Sequence, residues 1–413
     1  MEEFYSTWIS CQMGAREHYA IPKVLFDQGN LSYFITDFWV KPQSILKYLP
    51  KSLFPHLRQR FAQELTSASV FQFNRSLIAF ELKHKIKRTS GWELIILRNQ
   101  WFQEQSLKAL EDIAANSTSP ITVFAYSYAA LKIFRFAKKQ GWQTVLGQID
   151  AGKYDEQLIG EEHQRYPISG NNWQAAPQEY WENWQQECQL ADQIIVNSKW
   201  SSEALQIAGV PENKLKIIPL AYNSQNKVND FTRTYPPVFS EKRPLRVLFL
   251  GRILLRKGVI KIFEAIELLQ NEPIEFWFVG SVGMKIPEKI LTNPKFKYFG
   301  SVSRNMTAKY YRDADVFLFP TLSDGFGLTQ LEAQAWQLPI IASKFCGTVV
   351  KDNVDGFILK TLTGQEIATY LRHCLNNPAL LAEFANRQSQ NIDNFSLSEL
   401  GKNLKSINQP TTV

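Results

Sequence analysis

Two carboxylates and two cations in the second half of the chain have the types and spacing to hold a ligand with charged and hydroxylated parts. Asp324 and Glu332 stand on either side of Gly325-Phe326-Gly327, in the stretch SDGFGLTQLEAQAWQLPI (323–340). Glycines let the backbone approach a ligand closely, and the helix starting at Leu328 aims its positive end back at the loop. Glu332, just over one turn into that helix, can accept from two adjacent hydroxyls, while Asp324 stands on the opposite lip. Earlier, LGRILLRKG places Gly251 and Arg252 at the end of a strand and Lys257 five residues on, with Arg256 as its neighbour. Cations and backbone N–H groups at a helix start are what two linked phosphates require. The set reads as a site for a sugar joined to a diphosphate; taken alone, the two carboxylates also fit an ordinary turn and helix.

Such a site needs rigid elements behind it. Apolar strands alternate with helical stretches through most of the chain, which predicts βαβ units and parallel sheets. FYSTWISC, LSYFITDFW, ITVFAYS and WQTVLGQID read as strands of a first half, with AREHYAIPKVLFDQG and YAALKIFRFAKKQG as helices. LRVLFLG, IEFWFVG, FKYFGSV, VFLFPT and LPIIAS repeat the pattern in a second. The fold class is α/β: two doubly wound Rossmann-like domains facing each other across a cleft, where ligands sit at the strands' carboxyl ends. The expected boundaries are 1–222 for an N-terminal, acceptor-side domain and 245–392 for a donor domain. A polar linker with three prolines covers 223–244, and a C-terminal helix (393–413) is expected to cross back to the first domain. Within the first domain, 41–108 reads as a basic, irregular insertion.

Composition narrows the class. A chain of 413 residues, 45% hydrophobic and 13% aromatic, buries large cores and is not disordered. Its four cysteines lack metal-ligand spacing, its N-terminus lacks a secretory pattern, and no apolar run is long enough to span a bilayer. The expectation is a cytoplasmic protein, peripheral at most to the inner face of a membrane. Net charge is +7, and between residues 41 and 108 twelve Lys or Arg face four acids. With no helix-turn-helix, zinc or RRM signature, nucleic acid is not expected as a partner. An anionic membrane surface or a lipid-linked acceptor fits the patch better, and SILKYLPKSLFPHLRQRF (44–61) interleaves basic and apolar residues in the manner of a surface-lying helix.

FLGRILLRKGV, FPTLSDGFGLTQLEAQAWQLPIIAS and VNSKWSSEALQIAGVPENKLKIIPLAYN, in that order, resemble family-4 retaining glycosyltransferases of the GT-B fold. The likeness runs over roughly residues 120–395 and is weaker around GAREHYAIPKVLFDQG. It implies that a nucleotide-diphosphate sugar is the donor, that a glycan or lipid-linked intermediate is the acceptor, and that no metal or other cofactor is required. Arg252 and Lys257 would hold the diphosphate, Glu332 the ribose hydroxyls, and Asp324 with the backbone at Phe326, Gly327 and Leu328 the transferred sugar. Phe299, Gly300, Ser301 and Val302 resemble the loop at the base, and Gly14 the position facing the phosphates from across the cleft.

Two departures stand out. The family's first carboxylate is Glu, and here it is Asp324, shorter by one methylene. The family's N-domain imidazole is absent: Ile149 stands in its place with Asp150 beside it as the substitute, and Phe124 and Tyr126 replace a His-x-His pair. Both departures also suit a non-catalytic sugar-nucleotide-binding subunit, the alternative function. No Asp-x-Asp motif placed to bind a metal is read, and the absence of a G-x-G-x-x-G after any strand disfavours a dinucleotide dehydrogenase.

Overall fold

A computed structural model of the chain describes residues 7–48, 57, 60–117, 119–167, 173–222 and 231–408. The N-terminal half is built on a seven-stranded, all-parallel sheet in the order β3-β2-β1-β4-β5-β6-β7. Its strands are β1 (Thr7–Gln12), β2 (Leu31–Thr36), β3 (Val70–Gln72), β4 (Ile121–Tyr126), β5 (Gln143–Gly147), β6 (Gln193–Val196) and β7 (Leu215–Ile217). Around it lie α1 (Ala20–Asp27), α2 (Asn74–Ile86), α3 (Gly91–Ala114), α4 (Leu131–Lys139), α5 (Gly152–Arg165), α6 (Gln178–Leu190) and α7 (Lys199–Ile207).

The C-terminal half repeats the plan with six parallel strands in the order β10-β9-β8-β11-β12-β13. These are β8 (Leu245–Leu250), β9 (Ile274–Val279), β10 (Phe296–Tyr298), β11 (Val316–Phe319), β12 (Ile340–Ser343) and β13 (Gly356–Leu359). The helices are α8 (Val259–Leu268), α9 (Glu288–Leu291), α10 (Arg304–Asp313), α11 (Leu328–Ala335), α12 (Gly364–Asn376), α13 (Pro378–Asn391) and α14 (Leu397–Lys405). Sheets covered on both faces want unbroken apolar strands, and every residue of β11 and β12 is buried. In each sheet the order reverses beside the first strand, between β1 and β4 and between β8 and β11. Ligands of open α/β sheets sit outside the carboxyl ends at such points.

Three segments differ from the sequence reading. The expected irregular insertion, 41–108, holds β3, α2 and most of α3. Its helical stripes were hidden: α2 buries Leu77, Phe80 and His84 between basic residues, and three of the eight buried positions of α3 are the polar Asn99, Gln103 and Ser106. The expected linker is anchored where it is described. Arg233, 6% exposed, donates to the carbonyls of Tyr311, Arg312, Ala314 and Trp336, which fastens the segment to the C-terminal half. The first helix starts only at Ala20, because Glu17, His18 and Tyr19 have left-handed φ of 49°, 53° and 63°. Most of the amphipathic stretch 44–61, residues 223–230 and residues 409–413 lie outside the described residues. α14 packs on α1, Gly401 lying against Val24 and Gln28, and so brings Leu397–Lys405 back to the N-terminal half.

Candidate active site

The glycine loop between β11 and α11 is held from both halves of the molecule. Ser323, fully buried, accepts from Trp200 Nε1 at 3.0 Å, and the Gly325 carbonyl accepts from Ser201 Oγ at 3.2 Å; Trp200 and Ser201 belong to α7. Gly325 has no room for a side chain: a Cβ would lie 2.5 Å from the Ile149 carbonyl oxygen. The donor-side loop and the loop after β5 therefore meet backbone to backbone. Gly327, at φ +87°, precedes α11 in a conformation that favours glycine.

Asp324 is paired. Its Oδ2 accepts from Lys257 Nζ and its Oδ1 from the Phe326 N–H at 3.3 Å. Burial pushes the Asp324 carboxyl up, but the charges of Lys257 and Arg256 outweigh it and hold the group below its ordinary value. Among the described residues Asp324 is the one hydrogen-bond partner of the Lys257 ammonium, which leaves donors to spare. The Phe326 ring is in the core, so only its backbone belongs to the loop surface. Glu332 is half-buried on α11 and accepts from Tyr311 Oη at 2.8 Å.

Arg252 is exposed at the end of β8, where Gly251 donates its N–H to the Val279 carbonyl at 2.9 Å. Its guanidinium lies over Gly283, with Nε 2.8 Å from where a Cβ there would be. Arg256 is committed elsewhere: it donates to the Ser323 carbonyl at 3.0 Å and pairs with Asp155 of α5 at 3.7 Å, across the halves. Burial pushes Asp155 up to about 6, against the pull of Arg256. In the 299–302 loop, Phe299 is 42% exposed and Ser301 exposed, Val302 packs on the core, and the Gly300 carbonyl accepts from Gly280 N–H at 2.8 Å.

Across the cleft, Gly14 donates to Asp37 Oδ1 at 2.9 Å, which also pairs with Arg60. The left-handed run that follows, each non-glycine residue costing on the order of 1–2 kcal/mol, carries Glu17 and His18 into the cleft. There a cavity of about 350 Å³ is lined by Glu17, His18 and Lys23 from one half and by Asn305, Leu328 and Glu332 from the other. Burial pushes the Glu17 carboxyl up to about 7.

Asp150 is an anchor: its Oδ1 accepts from Tyr128 Oη at 2.6 Å, Gln148 Nε2 at 2.9 Å and Gly152 N–H at 2.9 Å, the last at the start of α5. The structure thus brings Lys257, Asp324, Gly325, Phe326 and Gly327 together, places Glu332 and Leu328 on the cleft cavity, and sets Asp150 behind Gly325. Arg252, Gly14 and the 299–302 loop lie outside that cavity's lining.

Sequence reasoning missed the residues that hold the N-terminal loops. Glu187 of α6, 1% exposed, accepts from the Tyr128 N–H at 2.6 Å, Ala130 N–H at 2.7 Å and Leu131 N–H at 3.1 Å. It keeps Tyr128 at φ +74°, and burial pushes its carboxyl up to about 7. Nothing local in the sequence links positions so far apart. An Asp-x-Asp run does exist, at Asp313-Ala314-Asp315, but Asp315 is 2% exposed and accepts both guanidinium nitrogens of Arg243 at 2.7 Å. Among the described residues no three His, Cys, Asp or Glu side chains converge as metal ligands.

Comparison with known proteins agrees with this geometry. Residues 232–394 match the family described as glycosyl transferases group 1. A 41.2 kDa protein from a cps region of Klebsiella pneumoniae is 26% identical over 172 residues, 41% of this chain and 48% of the relative. The D-inositol 3-phosphate glycosyltransferase of Rhodococcus opacus is 24% identical over 247 residues, 55% of each chain. The chain thus spans about half the length of the curated relatives it matches. The structure of Anabaena HepE in complex with UDP-glucose superposes with a TM-score of 0.58 at 15% identity, over 97% of this chain and 98% of that one. The chain shares that GT-B architecture, two Rossmann-like domains across a cleft. Over residues 232–394 its C-terminal half is similar to the glycosyl transferases group 1.

Proposed function

We propose that the protein transfers a sugar from a nucleotide-diphosphate sugar to a glycan or lipid-linked acceptor, with retention of anomeric configuration. The observation that carries this reading is the Lys257–Asp324 pair at the β8/β11 switch point, beside α11 and its cleft-facing Glu332. A diphosphate there meets the spare donors of Lys257, the Arg252 guanidinium and the start of α11. Glu332 takes the ribose hydroxyls, and Asp324 takes hydroxyls of the sugar. The UDP and UDP-glucose complexes of the Anabaena relative support a nucleotide sugar as donor, and the cps-region and capsular relatives support polysaccharide biosynthesis as the setting.

In the transfer the bond between the anomeric carbon and the phosphate oxygen breaks, and one to the acceptor oxygen forms on the same face. Lys257, Arg252 and the helix start stabilise charge growing on the leaving diphosphate. Asp150, with three donors on its Oδ1, anchors the loop after β5. The acceptor's proton passes to the departing phosphate oxygen, a scheme that needs no metal or further cofactor. Proton NMR of the anomer first formed when water replaces the acceptor tests retention: an α-linked donor is expected to release the α sugar. A β sugar would refute retention, and binding of donor without any turnover would point to a sugar-nucleotide-binding subunit.

The acceptor reaches the site from an anionic membrane surface. The end of α2 exposes Ile86 (82%) and Leu82 (40%) among the exposed Lys83, Lys85, Lys87 and Arg88, and each such cation near an anionic bilayer adds about 1 kcal/mol. Among the described residues no helix is long and apolar enough to cross a membrane. Sedimentation with vesicles containing phosphatidylserine, but not with neutral ones, is the expected result, weakened at least about fivefold by Ile86→Asp through lost apolar contact and added negative charge. Equal retention by both vesicles would remove the membrane from the account.

A further inference from the structure

The glycine loop is tied to the N-terminal half by a side chain that the proposed transfer does not use. α5 turns the buried Asp155, Ile159 and Glu162 onto one face, their spacing of four and three residues matching the helical repeat. That face meets the C-terminal half: Asp155 pairs with Arg256 at 3.7 Å and Glu162 with Lys261 at 3.9 Å. Arg256 belongs to the turn Leu255–Lys257, on which α5 packs. It fastens that turn to the strand end before the glycine loop twice. Its carbonyl accepts from the Leu322 N–H at 2.8 Å and from Thr321 Oγ1 at 3.1 Å, and its Nε donates to the Ser323 carbonyl at 3.0 Å. The residues that follow on each side are Lys257 and Asp324, the pair at the candidate donor site.

A guanidinium can span a carbonyl and a carboxylate in this way because its nitrogens are fixed in one planar fork. The carboxylate end of the span costs stability. Burial outweighs the pull of Arg256 and pushes Asp155 up to about 6, above its ordinary 3.8. The folded protein therefore holds the proton more tightly than the unfolded chain, and at neutral pH the Asp155 charge weakens the fold. Its removal does not strand Arg256, which keeps the Ser323 carbonyl and the nearby Asp324 charge. A buried charge that weakens the fold is accounted for by what it orients.

We propose that Asp155 is a positioning residue for donor binding: from the N-terminal half it holds Arg256 on the Ser323 carbonyl and so fixes the Lys257–Asp324 pair. The part in donor binding rests on the transferase reading; the hold on the glycine loop does not, and it is measured without ligand. Amide exchange of residues 321–327 is followed by mass spectrometry in the full-length wild type, Asp155→Asn, Arg256→Lys, their double variant and Glu162→Gln. Asp155→Asn should quicken exchange there at least about fivefold, with a melting temperature no lower than that of the wild type. Arg256→Lys keeps the charge but not the span and should do the same. The double variant should be no looser than either single one, since both break one link. Glu162→Gln, on the same face of α5 but away from the loop, should change nothing. UDP, GDP and ADP are titrated in parallel at neutral pH, and the one that binds the wild type should bind Asp155→Asn at least about fivefold more weakly. Unaltered exchange in Asp155→Asn, an equal response in Glu162→Gln, or additive effects in the double variant overturns the proposal. A lowered melting temperature with faster exchange throughout the chain overturns it too, by making Asp155 a structural residue. A loosened loop with undiminished nucleotide binding would remove Asp155 from donor binding. A loosened loop in a protein whose wild type binds none of the three would count against the transferase reading and leave the hold on the loop standing.

Discussion

Lys257→Ala is expected to lower kcat/KM for transfer by about 10²–10³-fold, the usual effect of removing one preorganised donor from a developing oxyanion. The ammonium sits where the diphosphate would leave, and its pairing with Asp324 holds it there before any ligand arrives. The variant also leaves Asp324, buried against the glycine loop, without its closest counter-charge. Loss of one partner of a buried pair costs about 3–5 kcal/mol, largely through the charge left behind. The two effects separate in the double variant Lys257→Ala/Asp324→Asn. Its melting temperature should recover while transfer stays low. Recovery of transfer in the double variant would mean that Lys257 serves only to neutralise Asp324.

Glu187→Ala should give the largest loss of stability, at least about 3 kcal/mol. Three buried backbone N–H groups lose their acceptor, each unsatisfied donor costing about 1–3 kcal/mol. The left-handed Tyr128 is released at the same time. Glu187 also gives stability a pH dependence. Its carboxyl is raised to about 7 in the folded protein, above an unfolded value near 4.5. The folded state therefore holds the proton more tightly than the unfolded state between those values, and stability falls as pH rises through that window. The contribution is complete below the unfolded value and is lost, by about 3 kcal/mol, once pH passes the folded one. Urea melts of the wild type and of Glu187→Gln from pH 5 to pH 8 check it, since the variant should lack this component of the slope. Identical slopes would assign the pH dependence elsewhere, with Glu17, Asp155, Glu162 and Asp355 as the other raised carboxyls among the described residues.

What the sequence revealed was local. Asp324, Gly325, Gly327 and Glu332 lie within nine residues of one another, and the turn, the helix start and the two carboxylates explain each other without any long-range contact. The alternating strands were legible for the same reason: a parallel strand covered on both faces is a short apolar run. What escaped was either polar inside a helical stripe or paired at a distance. Asn99, Gln103 and Ser106 occupy buried positions on α3, so its period was masked. Glu17, His18 and Tyr19 carry no glycine to announce a left-handed run. Arg256 looks like Lys257 in sequence, yet it is spent on Ser323 and Asp155, and only the approach of the two halves decides between them. Asp150 likewise was legible as an acid near the cleft but not as one whose Oδ1 already holds three donors.

The central claim is that the loop and helix after β11, with Lys257, form a nucleotide-sugar site. Calorimetric titration of UDP, GDP and ADP into the wild type, Lys257→Ala and Glu332→Ala tests it most directly. One nucleotide should bind the wild type, and each variant should weaken it at least about tenfold, or 1.4 kcal/mol, Lys257→Ala through the phosphates and Glu332→Ala through the ribose. Binding of none of the three, or binding that both variants leave unchanged, would contradict it.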